Sequence, residues 1–231
     1  DFVQKLITQH TELWGKYPPT NGTPEFRKAV REWLNSRYSL PDGMIHDKDH
    51  ILPVAGTREA LFSIALLAVP GKKRGAQPTV LIPDPFYQIY SGAAIMAGAE
   101  PVYVPTTQET GFLPDFNKLP TDKLNRAALA YLCTPSNPQG AVASLDQLAS
   151  YIQLARNHDF ILATDECYSE IYFDAPPHGV IEACVSEGSK LNNVIAFHSL
   201  SKRSNVPGLR SGFVVGDKMI IDGFTRLRQY T

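Results

Sequence analysis

Cysteine is scarce in this chain. Its 231 residues contain three, Cys133, Cys167 and Cys184, with no Cys-x-x-Cys pair. The odd number argues against a disulfide framework, and a reducing, cytoplasmic setting is expected. Net charge is nearly absent too, since 22 Lys and Arg stand against 23 Asp and Glu and leave -1. That balance gives no support for a nucleic-acid or membrane-surface partner. The longest basic run, Lys72 to Arg74, lies between Gly71 and Gly75 and reads as a solvated turn. No apolar run is long enough to span a bilayer, and no secretory signal is visible. An initiating methionine is also missing. The chain opens at Asp1 in a helical pattern and stops at Thr231 inside another, so it is expected to be the ordered part of a longer protein.

What is present is an ordinary globular composition, 43% hydrophobic and 19% charged, long enough for a sizeable core. Short apolar runs at 51–54, 79–82, 102–104, 128–132, 160–163, 194–197 and 213–215 alternate with helical patterns. This predicts an α/β fold with a mainly parallel central sheet and helices on both faces. Thr23 before Pro24 marks a helix start, with Phe26, Val30, Trp33 and Leu34 as its apolar stripe. Thr57 is expected to cap a second helix, Asp84 and Pro85 to start a third that Gly98 closes, and Ser144 with Gln147 to form a capping box. A further helix is expected from Asp217, while 106–125 shows little periodicity and is expected to be mostly loop.

Residues 198–212 carry the strongest chemical signal. Lys202 follows the run 194–197 and is flanked by the hydroxyls of Ser199 and Ser201, and Arg210 comes eight residues later, past Pro207 and Gly208. Ligands of open α/β sheets bind at the carboxyl ends of strands. A lysine kept partly neutral there is a nucleophile toward a carbonyl, and the hydroxyls and guanidinium suit a phosphate. For Ser-x-x-Lys alone, a solvated basic loop is the plain alternative.

Four other strand ends narrow the choice. Gly56, Thr57 and Arg58 open a helix, where backbone amides and the helix dipole favour an anion; an ordinary capped helix start is the alternative. Tyr87 follows the run 79–82 and offers a ring for a flat ligand to stack on, although aromatics on helices are usually core residues. Asn137, in the turn from Thr134 to Gly140, aims an amide at the sheet edge or serves the turn alone. Asp165 ends the run 160–163, and a buried carboxylate predicts a cationic partner. Tyr168 lies one helical turn on, and Glu166, the nearest competitor, is expected on the opposite side. A lysine, a carboxylate, an amide, two tyrosines and a phosphate cradle together fit pyridoxal phosphate.

The motifs Tyr17-x-x-x-x-Gly22, Gly56-Thr57-Arg58, Asp84-Pro85-Phe86-Tyr87, Asn137-Pro138-x-Gly140, Asp165-x-x-Tyr168 and Ser199-x-Ser201-Lys202 with Arg210 resemble those of class I/II aminotransferases of fold type I, along essentially the whole chain. The resemblance implies that Lys202 bonds the cofactor and then moves the substrate proton, while Asp165 keeps the ring nitrogen protonated. It implies that Asn137 and Tyr168 bind the ring oxygen, that Tyr87 stacks on the ring, and that Gly56, Thr57, Arg58, Ser199, Ser201 and Arg210 form the phosphate site. Tyr17, which its place before Pro18 and Pro19 would make a loop anchor, is implied to reach the phosphate of a neighbouring subunit. A homodimer with shared active sites follows, with no metal. The same resemblance makes 1–20 a leading segment and 21–231 a large domain incomplete at its C-terminal end, with the small domain largely absent.

A closer similarity is to proteobacterial N-succinyl-diaminopimelate aminotransferases. It implies amino transfer between glutamate/2-oxoglutarate and N-succinyl-diaminopimelate in lysine biosynthesis. The alternatives are an aspartate- or aromatic-type aminotransferase, a carbon–sulfur lyase on the same fold, or the effector-binding domain of a regulator. Gln139 departs from the family turn, which usually has Thr or Ser there. A local hydroxyl hydrogen bond is expected to be lost while Pro138 and Gly140 keep the turn.

Overall fold

The computed structural model describes residues 2–230; Asp1 and Thr231, the two chain ends of the sequence reading, lie outside the described residues. Its seven strands are β1 (Ile51–Val54), β2 (Thr79–Asp84), β3 (Glu100–Pro105), β4 (Ala127–Cys133), β5 (Ile161–Asp165), β6 (Val194–Ser199) and β7 (Gly212–Gly216). They form one sheet in the order β1-β7-β6-β5-β4-β2-β3. β7 pairs antiparallel with both β1 and β6, and every other pair is parallel. Pro53 lies in the edge strand β1, where a missing N–H is tolerated.

The helices are α1 (Phe2–Thr8), α2 (Pro24–Tyr38), α3 (Asp47–His50), α4 (Thr57–Ala68), α5 (Gln88–Met96), α6 (Thr121–Arg126), α7 (Leu145–His158), α8 (Val180–Ser186), α9 (Leu200–Arg203) and α10 (Lys218–Leu227). Side chains alternate across a strand, and this parity divides the core. Val80, Ile82, Leu129, Tyr131, Ala163, Ile195, Phe197 and Val214 pack with α4, α5 and α10. Leu81, Ala130, Leu132, Leu162, Ala196 and Val215 pack on the other face with α2, α7 and α8. A parallel sheet covered on both faces needs such near-continuous apolar strands, so the expected α/β class is what the chain adopts.

Local signals explain three of the longer helix starts. Thr23 Oγ1 accepts from Phe26 N at 3.2 Å, and Ser144 with Gln147 forms the capping box. Asp217 accepts from Met219 N at 2.8 Å to open α10.

Several expectations are corrected. Asp84 and Pro85 do not start a helix: β2 runs on to Asp84, whose carbonyl accepts from Thr106 N at 2.8 Å, and α5 begins only at Gln88. Thr57 is not the cap of α4. Gly56 holds that position with φ +88, so Thr57 is the first helical residue. The segment 106–125 contains two 3-10 turns and the start of α6. The basic turn is not simply solvated either. Lys73 Nζ donates to Ala127 O at 2.6 Å, to His158 O at 3.2 Å and to Asp159 O, so it binds carbonyls at the end of α7. A cation there complements the helix dipole. The short helices α3, α8 and α9 carry too few apolar repeats for a periodicity reading to find.

Candidate active site

The carboxyl ends of β2, β4, β5 and β6 meet the start of α4 around a cavity of about 510 Å³. Thr57, Arg58, Tyr87, Asn137, Asp165, Tyr168, Ser199, Ser201, Lys202 and Arg210 all line it. Gly56 lies at its rim, against Arg210. Tyr17 does not line the cavity and is fully exposed.

Strand parity aims the carboxylates. Asp165 shares the phase of Ala163 and faces the α4/α5 side, whereas Glu166 turns to the opposite face, as expected. Asp165 is 5% exposed. Its Oδ2 accepts from the Tyr90 hydroxyl at 2.9 Å and its Oδ1 from Cys167 N at 3.4 Å. The cationic partner that burial demanded is therefore absent among the described residues, and burial raises the Asp165 pKa above the ordinary carboxylate range. Such a carboxylate is suited to receive a cation from a ligand.

Tyr90 was missed in the sequence. It sits on α5, is 1% exposed, and stacks on Tyr131 at 4.4 Å, whose hydroxyl donates to Leu61 O at 2.7 Å. A buried tyrosine needs a partner for its hydroxyl, which was the one available signal.

Lys202 is carried on α9, directly after β6. Ser199 caps that turn, accepting from Ser201 N at 3.1 Å and donating to Ser201 Oγ at 2.9 Å. Leu200 N donates to Ser211 O at 3.0 Å and closes the loop at its base. The Lys202 carbonyl accepts from Asn205 N at 3.3 Å, but its side chain makes no hydrogen bond or ion pair with another described residue. It is also the only lysine among the lining residues.

Arg210 adopts φ +49, and its guanidinium lies across the start of α4. Nη2 donates to Ala55 O at 3.2 Å and to Glu59 Oε2 at 2.9 Å, and Nη1 donates to Pro207 O at 3.2 Å. A guanidinium has about five N–H donors, so part of the fork stays open toward an anion. Gly56 makes this approach feasible, because a Cβ there would stand 2.3 Å from Arg210 Nη2. Arg58 Nε instead donates to the Tyr87 hydroxyl at 2.7 Å, which couples it to the tyrosine ring.

Asn137 Nδ2 donates to the Tyr168 hydroxyl at 3.4 Å. Burial pushes the Tyr168 phenol up to about 12, so it stays protonated at neutral pH and can donate to an oxygen. Cys133 and Cys167 also line the cavity, and burial raises both thiols, which disfavours a thiolate nucleophile. Gln139, where a lost bond was expected, donates through Nε2 to Thr106 Oγ1 at 2.8 Å and ties the turn to the end of β3. Among the described residues no group of three or more His, Cys, Asp or Glu is placed to hold a metal ion.

A lysine side chain without a partner, a buried carboxylate without a cation and a glycine-floored arginine at a helix start meet at the strand ends of an α/β sheet, an arrangement that suits an anionic ligand with an electrophilic carbon. The chain belongs to the family of class I and II aminotransferases, whose model matches residues 2–230. That family depends on pyridoxal phosphate. An LL-diaminopimelate aminotransferase from Dehalococcoides mccartyi is 37% identical over 92% of this chain and 52% of its own length. The chain thus spans about half the length of the curated relatives it matches. An aminotransferase from Neisseria meningitidis superposes with TM-score 0.92 at 40% identity, covering 99% of this chain and 57% of that one. Aminotransferase AspB from Helicobacter pylori gives 0.90 at 37%, covering 100% and 59%.

Gly56→Ala places a methyl group in the space of the Arg210 guanidinium, at a φ unfavourable to alanine. Affinity of the full-length protein for pyridoxal phosphate, followed by equilibrium dialysis, is expected to fall by roughly 10- to 100-fold, the worth of a charge-assisted hydrogen bond.

Proposed function

We propose that this chain is the cofactor-binding part of an aminotransferase of the diaminopimelate route to lysine, with N-succinyl-diaminopimelate as amino donor or product and glutamate/2-oxoglutarate as its counterpart. The observation that carries the transferase reading is the convergence of Lys202, Asp165 and Arg210 on one cavity from separate segments. The diaminopimelate class is supported by the 37% identity to an LL-diaminopimelate aminotransferase, and the succinylated form by the motif similarity to N-succinyl-diaminopimelate aminotransferases.

Pyridoxal phosphate, when bound, supplies an aldehyde that condenses with amines and a ring that takes up the electron pair freed at the substrate carbon. Lys202 Nζ would bond it and, once displaced by substrate, carry the proton between substrate carbon and cofactor. Asp165 would hold the ring nitrogen as a cation, with Tyr90 fixing the carboxylate's orientation. Asn137 and Tyr168 would donate to the ring oxygen. Tyr87, held by Arg58, would cover the ring face. Thr57 at the α4 start, Ser199, Ser201 and Arg210 would hold the phosphate.

Residues 21–231 then form the incomplete large domain and 1–20 a leading segment. The exposed Tyr17 would serve the site of a second copy in a homodimer, in a cytoplasmic setting. No helix among the described residues is long and apolar enough to cross a membrane.

Single-turnover spectra of the full-length enzyme test the substrate. N-succinyl-LL-diaminopimelate is expected to convert the cofactor to its amine form at least about 100-fold more efficiently than LL-diaminopimelate, a gap of about 2.7 kcal/mol. Equal or reversed efficiency would move the assignment to the unsuccinylated substrate. Release of ammonia and pyruvate from cystathionine would favour the lyase instead.

A further inference from the structure

On the sheet face away from the cavity, the strand ends beside Asp165 and Lys202 carry two buried groups that the chemistry above does not use. Glu166 is 1% exposed and His198 2%. Glu166 Oε1 accepts from Val180 N at 2.8 Å and from Thr164 Oγ1 at 3.1 Å. Its Oε2 accepts from the Tyr38 hydroxyl at 3.2 Å and stands 3.4 Å from His198 Nε2, a buried nitrogen with no hydrogen-bond partner. A buried polar atom without a partner is costly, and one proton between these two atoms would remove the cost. Held by the imidazole, that proton makes either a buried cation, which both Arg203 and Arg37 oppose, or, in the Nε2–H tautomer, a neutral ring facing a buried carboxylate anion. Held by the carboxyl, it leaves no net charge in the interior.

We propose that Glu166 is a positioning residue kept as a neutral carboxylic acid, which donates to His198 Nε2 and so forms an uncharged strut behind the ends of β5 and β6. The groups facing the strut are Tyr38 and Arg37 from α2, Thr164 from β5, the Val180 amide and the Cys184 thiol of α8 and Arg203 from α9. Arg37 is itself neutralised by Glu170 at 2.8 Å. Burial works in the same direction, raising the Glu166 carboxyl to about 7 and lowering His198 to about 3.

Two contacts tie the strut to the active site. Glu166 N donates to Phe197 O at 3.0 Å, which continues the β5–β6 ladder past Asp165. His198 stacks on Phe213 at 4.9 Å and meets Trp33 at 5.4 Å, and the Arg203 guanidinium lies 4.4 Å over Trp33. Arg203 follows Lys202 directly, so α9 is fastened to the strut. A neutral Glu166 also leaves Asp165 as the sole anion at that strand end, free of a like charge one residue away. The strut belongs to the fold, and it rests on the proposed function only in taking Asp165 and Lys202 as the groups it positions.

Isotope-edited infrared spectroscopy of the full-length holoenzyme, with labelled glutamate, tests the protonation state without reference to turnover. At pH 6 the wild type is expected to show a protonated-carboxyl band that fades as pH passes about 7 and is missing in Glu166→Gln. A glutamine can donate to His198 through its amide, so Glu166→Gln is expected to bind pyridoxal phosphate within about twofold of wild type, whereas Glu166→Ala loses at least about tenfold. Identical carboxyl spectra for wild type and Glu166→Gln at pH 6, or a loss of more than about tenfold in Glu166→Gln, would overturn the proposal. The band and the glutamine variant decide it whether or not the alanine variant folds. Failure of transamination with an intact band would count against the proposed function alone.

Discussion

Lys202→Ala in the full-length protein is expected to lower the rate of amino transfer by at least about 10⁴-fold, the upper range for a single positioned acid–base group and without counting its covalent role. The expectation follows from isolation as much as from position. No other lysine lines the cavity, so no neighbour can substitute. The fold is expected to survive, because the Lys202 side chain makes no hydrogen bond or ion pair among the described residues and Ser199 caps α9 independently. Borohydride treatment followed by peptide mapping gives a second readout, with the cofactor fixed to Lys202 in wild type and to no lysine in the variant. Retention of more than about 1% of the rate, two orders of magnitude above that expectation, would sink the assignment.

Asp165→Asn is expected to separate stability from function. The variant loses the negative charge that would hold a protonated ring nitrogen, and kcat is expected to drop by about 10²- to 10³-fold, as when one preorganised electrostatic group is removed. The cofactor-free protein, by contrast, is expected to become more stable by about 1–2 kcal/mol at neutral pH. Burial holds the folded-state pKa of Asp165 above its unfolded value. The stability it contributes is therefore present in acid and lost as pH rises through the folded value. The advantage of asparagine should thus vanish at low pH and grow toward neutrality. Thermal melts of both proteins without cofactor, taken across that range, check the sign. A variant equally destabilised at every pH would show that Asp165 is structural.

The strands were legible because both faces of the sheet are covered, which forces apolar runs such as 128–132 and 194–197. The ends of β2, β4, β5 and β6 then lead to polar side chains that line the cavity. The strand limits themselves were read short, because Asp165 and Ser199 are polar although their backbones still pair in the sheet. Tyr90 escaped because its spacing on α5 is that of a core residue, and nothing in the local sequence shows which carboxylate its hydroxyl meets. Lys73 was misread for a related reason: the carbonyls that it binds belong to β4 and to the end of α7, remote in sequence. Gln139 finds its partner outside its own turn, in Thr106 at the end of β3. Long-range pairings of this sort carry no periodic signature.

The single reversed strand has a consequence for engineering. Because β7 returns directly alongside β6, the segment with Lys202 and Arg210 is a handle whose two feet stand on neighbouring strands, joined where Leu200 N meets Ser211 O at 3.0 Å. The parallel crossovers elsewhere have a second connection, from helix back to strand start, at the sheet edge opposite the cavity, where added residues are absorbed. In the handle, any change of length between Lys202 and Arg210 directly alters the span between the lysine and the guanidinium that line the cavity. Chain length in this one loop is therefore a molecular ruler for the cavity, and the connections that return from helices to strand starts, such as 187–193, are the places to graft tags or new segments.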